Sequence, residues 1–186
     1  MARISLDPPR TPLLRLLEWY SRRAYGAVLD PGKALAHNTR VLLTDLRFER
    51  SVARFGRLDP ALSELAVMAA AATIGCSWCM DFGYWEARKL GIDPAKLRAV
   101  PAWRSHAALF SDAELAVLEY AEAMCETEPA VTDDLAARLL GLLGEAAFVE
   151  LTFMVGVENL RSRFNSALGL RSQGFADRCD VPAAAS

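Results

Sequence analysis

Apolar residues recur along the chain at helical spacing, and no stretch alternates as a half-buried strand would. Over residues 13–25, Leu13, Leu16, Leu17 and Tyr20 share one face while Arg15, Glu18 and Arg22 take the other. Asp30-Pro31 interrupts this pattern. It resumes over 34–55, where Leu35, Leu42, Leu43 and Leu46 stand among four arginines, which predicts a solvent-facing helix packed along one stripe. Asp59-Pro60 supplies an N-cap and a proline at the first helical position, opening a helix over 61–74 that is apolar nearly all round. Gly75 breaks it, and a helix over 76–90 ends at Gly91 before Asp93-Pro94 restarts the pattern. Ser111-Asp112-Ala113-Glu114 has the form of a capping box and starts a helix reaching about residue 125. Thr132, followed by Asp133 and Asp134, caps the next, and Gly144 separates that one from a long apolar stretch ending near Leu168-Gly169. The fold class is therefore all-α, and the tail over 172–186 reads as peripheral.

Composition narrows the partners. The 186 residues are 53% hydrophobic and 24% charged, enough for one globular domain with a full core. A formal charge of -2 and a pI near 5.7 leave no basic excess, so nucleic acid and anionic membrane are not expected partners. The longest uncharged run, 65–80, is shorter than the roughly 20 residues a membrane span needs. Residues 1–10 carry two arginines, two prolines and no apolar h-region, so a reducing cytoplasm is the expected compartment and the cysteines are not read as structural cross-links.

Cys76-Ser77-Trp78-Cys79 brings in the chemistry. Sulfurs at i and i+3 of a helix start lie on one face, close enough for a reducible disulfide or a shared metal. Zinc is disfavoured: it takes four ligands, and Cys125, Cys179, His37 and His106 are isolated in sequence. The absence of strands argues against a thioredoxin fold around the motif. Glu64 is the only charged residue between Ala61 and Met80. Either it is an exposed acid in the second turn after the Asp59 cap, or it is a partly buried carboxylate that takes a proton from a thiol across the Gly75 turn. Cys125 reads as a small core residue, Cys179 as a possible free thiol, and His106 as a solvated or core-satisfied histidine.

Glu64, Cys76 twelve positions on and then Cys79, within an Ala-rich helical pair, resemble the core of the carboxymuconolactone decarboxylase and alkyl hydroperoxidase D superfamily. Cys79-Met80-Asp81, residues 110–114 and residues 158–165 extend the likeness over about 34–170. This divides the chain into an N-terminal helical arm at 1–33, the family-like domain at 34–170 and a tail at 171–186. The resemblance implies an all-helical homo-oligomer, commonly built from trimers, in which Glu, two Cys and a His relay protons during peroxide reduction. Here it implies a Cys76/Cys79 redox pair with Glu64 as proton acceptor, no cofactor and no metal. Its partners would be a hydroperoxide or small organic substrate and a dithiol or disulfide reductant protein. The relay His is replaced by Gly83, one turn beyond Cys79, and Trp78 stands where some members carry another His. Asp81 lies about 160° round the helix from Cys79 and does not replace it; it is expected to favour the helix N-terminus or a subunit contact. Trp78, Asp81, Phe82 and Gly83 are pocket candidates, with Tyr84 and Trp85 nearby. Without an imidazole, the general-acid step, worth roughly 10²–10⁴-fold, falls to water or Glu64 and peroxide turnover is expected to be weak.

Two other functions stay open: a redox-responsive binding or regulatory oligomer, and a lactone or small-acid transformation without thiol use. A faint internal echo aligns Glu150-Leu151-Thr152-Phe153-Met154 with Glu64-Leu65-Ala66-Val67-Met68, and its offsets carry Cys76, Cys79 and Gly83 onto Ser162, Asn165 and Gly169.

Overall fold

A computed structural model of the protein describes residues 2–178, so Cys179 and the end of the tail lie outside the described residues. The described chain is all-α, with no strand among its residues. Its helices are α1 (Pro12–Tyr25), α2 (Asp30–Leu35), α3 (Thr39–Val52), α4 (Pro60–Ile74), α5 (Ser77–Ala87), α6 (Pro94–Ala99), α7 (Asp112–Cys125), α8 (Asp133–Leu143) and α9 (Glu145–Ala167). None of them is long and apolar enough to cross a membrane.

The chain divides into two compact units. One holds the chain up to Arg54 together with Asn165–Arg171. Within it, Arg3 donates to the carbonyls of Ser166 and Ala167 at 3.0 and 2.8 Å, and the Arg3 amide donates to the Leu168 carbonyl at 2.7 Å. Two expectations are corrected in this unit. The stretch 34–55 is not one helix: α2 begins at Asp30, and the chain breaks at residues 36–38 before α3. Asn38 makes the break, because its side-chain oxygen accepts from the amides of Arg40 and Val41 and caps the new helix. On α1, Leu14 and Ser21 are buried, while Leu16 and Tyr20 are exposed. The buried stripe is therefore rotated by about 100°, a little over a quarter turn, from the one drawn through Leu13, Leu16, Leu17 and Tyr20.

The second unit holds Phe55–Phe164 and the chain from Ser172 onward. Helix α4 is its axis. Ala66, Ala69, Ala70 and Ala71 are buried along it together with Leu65 and Met68, and such small side chains let α5 and α7 approach closely on either side. Asp59 caps α4 through the amides of Ala61 and Leu62, at 2.9 and 3.2 Å. Gly75 closes it at φ +80°, a left-handed position that favours glycine, and its amide reaches the Ala71 and Ala72 carbonyls. A single residue then separates the two helices, because Cys76 is already the N-cap of α5. Helix α5 stops at Ala87, and residues Arg88–Leu90 tighten into a 3-10 turn before Gly91. The capping box of Ser111 and Glu114 and the Thr132 cap are formed as the sequence predicts.

The tail corrects a further expectation. Phe175 is fully buried, and the segment around it is tied to α5 by hydrogen bonds, so the tail is not peripheral up to Ala176. A lone aromatic in a polar stretch gives no periodicity from which to read burial.

Candidate dithiol site at the start of the fifth helix

The turn at Gly75 decides where the sulfurs lie. Because α5 starts immediately after it, Cys76 is placed at a helix N-terminus, where backbone amides are unpaired and the helix dipole is positive. The Cys76 Sγ accepts from the Cys79 amide at 3.2 Å, so sulfur does the work that a Ser or Asp oxygen does at other caps. Cys76 and Cys79 are joined as a disulfide with their Cα atoms 5.3 Å apart, and both are buried. Reduction would leave a sulfur facing a helix N-terminus, the environment that lowers thiol pKa.

Glu64 lies against the same helix one turn further on. A Cβ built on Gly83 would stand 3.4 Å from Glu64 Oε1 and 3.3 Å from Met68 Cγ, so the position where the resemblance calls for an imidazole opens directly onto this carboxyl. Burial first, then the negative charges of Glu86 and Glu158, push the Glu64 pKa up to about 7, against the opposing pull of Arg161. A carboxyl that titrates near neutrality is suited to accepting and returning a proton.

The pocket candidates take different parts. Trp78 is buried, stacks on Phe82 at 5.0 Å between ring centroids, and donates its indole N–H to Gln173 Oε1 at 2.8 Å. Phe175 meets Phe82 edge-on at 5.4 Å and Trp85 at 6.0 Å. Together these rings form an aromatic cluster over the outer side of α5. Asp81 faces this side as well, away from the sulfurs. Its carboxylate accepts from the amides of Gln173 at 2.8 Å, Phe175 at 3.0 Å and Ala176 at 2.7 Å. Burial raises the Asp81 pKa, but those amides and the Ser172 hydroxyl outweigh it and hold the group below the ordinary carboxylate range. Its described partners are thus amides of its own chain, where a subunit contact was one expectation.

Two site residues escaped the sequence reading. Ser162 Oγ lies 3.4 Å from Cys79 Sγ and 2.6 Å from Glu158 Oε1, and both residues are almost wholly buried on α9. The internal echo had already paired Ser162 with Cys76 by offset, but nothing in the sequence marked Glu158 as buried. Cys125 is a buried residue of α7 whose thiol pKa is pushed up by burial, as suits a small core side chain. His106 is exposed on the turn before α7, its ring nitrogen 3.1 Å from the Ala102 carbonyl.

Comparison with known proteins bears on the fold and the family. The chain is 35% identical over 171 residues to the uncharacterized protein YnjA of Escherichia coli (strain K12), covering 91% of this chain and 92% of that one. Its fold is similar to that of a peroxidase-related protein from Silicibacter sp. TM1040, with a TM-score of 0.82, 14% identity and 94% of each chain covered. It is similar too to a peroxidase-related protein with an alkylhydroperoxidase AhpD core from Ralstonia eutropha JMP134, with a TM-score of 0.77, 17% identity and again 94% of each chain covered. Residues 22–123, from the end of α1 almost to the end of α7, match the carboxymuconolactone decarboxylase family, and this chain belongs to that family.

Proposed function

We propose that the protein is a dithiol oxidoreductase of the alkyl hydroperoxidase D type, in which Cys76 and Cys79 cycle between dithiol and disulfide and Glu64 accepts the proton. The observation that carries this reading is the bonded cysteine pair at the start of α5 with a carboxyl titrating near 7 against the same helix. In the forward half-reaction one thiolate attacks the peroxide O–O bond, giving a sulfenic acid and an alcohol. The second thiol then displaces water and closes the disulfide. Two thiols are oxidised and one hydroperoxide is reduced. A dithiol protein would return the two electrons, and the assembly would be a homo-oligomer.

Stoichiometric tert-butyl hydroperoxide added to the reduced chain tests the reading. Two thiols per chain should disappear and peptide mapping should place them in a Cys76–Cys79 link, with Cys125 still free. Unchanged thiols, or a link to Cys125, would reject it.

A further inference from the structure

Helix α9 brings a second carboxylate to the cysteine pair, through a hydroxyl. Ser162 is fully inaccessible and Glu158 is 2% exposed. Placing a serine hydroxyl and a carboxyl out of water is unfavourable unless each is satisfied by a partner, and here they satisfy one another at 2.6 Å. A serine has one hydroxyl hydrogen, and an ionised carboxylate can only accept, so that hydrogen points at Glu158. The oxygen lone pairs are then turned toward Cys79 Sγ, 3.4 Å away, within the reach of a hydrogen bond to sulfur. Once the disulfide is reduced, the Cys79 S–H has an acceptor already in line.

We propose that Ser162 and Glu158 are the proton route of Cys79: Ser162 as a catalytic residue touching the reacting sulfur, and Glu158 as the positioning and proton-holding group behind it. The inference rests on the dithiol reading above. The step moves protons only. The Cys79 S–H bond breaks and its hydrogen joins Ser162 Oγ, while the hydrogen leaving Ser162 joins Glu158 Oε1. The products are a Cys79 thiolate, a neutral Glu158 and an intact serine. When the disulfide is later reduced and Cys79 departs as a thiolate, the same path runs backward.

The surroundings fit a group that changes charge. Arg161, on the same helix, lies 3.7 Å from Glu158 Oε2 and steadies the anion. Glu64 from α4 feels the charge of Glu158 together with that of Glu86 from α5. From α7, the Cys125 thiol also feels Glu158, together with Glu122 and with Arg163 of α9. The sequence echo adds a reason for the geometry: if α4–α5 and α9 are related copies, Ser162 occupies the counterpart of Cys76, and the hydroxyl meets the thiol across the two copies.

The test is peptide-resolved alkylation of Cys79 by iodoacetamide as a function of pH, on the full chain reduced with dithiothreitol, for wild type, Ser162→Ala and Glu158→Gln. Ser162→Ala should move the Cys79 profile up by about one pH unit and slow alkylation at neutral pH about tenfold, since the thiolate loses its hydrogen-bonding partner. Glu158→Gln keeps the size of the side chain but cannot take the proton, and it should slow Cys79 as well. A carboxylate acting only through its field would do the opposite, because removing a negative charge lowers a neighbouring thiol pKa. Profiles of Ser162→Ala that superimpose on wild type, or faster alkylation in Glu158→Gln, would overturn the route. Melting curves identify a variant that fails to fold, and the other variant then decides by the sign of its shift. Alkylation requires no peroxide. A wild type inert to peroxide with the shifted Ser162→Ala profile would reject the peroxidase reading and keep the route, while active peroxide chemistry with unshifted profiles would do the reverse.

Discussion

Replacing Glu64 by Gln should make the protein more stable than wild type at alkaline pH and bring no such gain in acid. The carboxyl stands near 7 in the folded chain and near its ordinary 4.5 when unfolded, because burial and the charges of Glu86 and Glu158 disfavour its ionised form. A group whose folded pKa is raised contributes stability that is complete below the unfolded value and is lost as pH climbs through the folded one. At about 1.4 kcal/mol for each pH unit between the two, wild type should lose about 3 kcal/mol from this group between pH ~4.5 and pH ~8. Gln matches the shape and does not titrate. The advantage of Glu64→Gln should therefore grow by about 3 kcal/mol across that window, roughly 6–12 °C in melting temperature for a chain of this size. Urea unfolding of the oxidised chain at a series of pH values measures it. A difference between the two proteins that does not change with pH would refute the argument that Glu64 is held neutral by its site. Oxidation kinetics add a second check: Glu64→Gln should slow peroxide-driven loss of thiols about tenfold if the group accepts a proton. A faster loss would leave it only an electrostatic influence.

Three further outcomes are expected. Asp81→Ala should cost about 2–4 kcal/mol, since it strips the acceptor from three amide donors, and should speed tryptic cleavage after Arg171; an unchanged melting curve and cleavage rate would reject the tether. Because the folded pKa of Asp81 is depressed, its contribution is full above the unfolded value of about 3.8 and fades as pH falls through the lower folded one, so Asp81→Ala should narrow its gap to wild type in strong acid. Phe175→Ala should cost about 3–5 kcal/mol as a fully buried ring is removed, and a loss under 1 kcal/mol in urea unfolding would show that the tail does not hold the aromatic cluster. Gly83→His sets an imidazole against Glu64 and should raise peroxide turnover about tenfold, provided Met68 Cγ yields a few tenths of an ångström; a folded variant with no gain would mean that position 83 no longer serves the sulfurs.

Helix boundaries marked by caps were legible in the sequence because each depends on residues within one turn. Asp59, Asp93, Ser111 and Thr132 all bond the amides their spacing predicts. The break before α3 carried such a mark in Asn38, but without a proline or glycine to interrupt the leucine pattern it was read through. The buried stripe of α1 could not be read: several leucine faces are nearly equal in hydrophobicity, and packing inside its own unit selects Leu14 and Ser21. Around the site, the Cys76–Cys79 pair was evident from spacing, and Glu64 from being the one charge in an apolar run. Ser162, Glu158 and the tail were hidden for a shared reason. Ser162 meets Cys79 across 83 positions and Ala176 meets Asp81 across 95, Glu158 joins the site through Ser162 four residues on, and a backbone amide that bonds Asp81 leaves no trace in the identity of its residue.

The tether between Asp81 and the tail also sets an order of assembly. Ala176 follows Asp81 by 95 positions, so the ribosome delivers the cysteine helix well before the segment that covers its aromatic side. Sulfur pairing, which needs only the first turn of α5, is thereby separated in time from docking of Phe175. A nascent chain stalled before residue 172 should hold the complete Cys-x-x-C turn with its aromatic cluster still open, and release of the remaining residues would be the event that closes it.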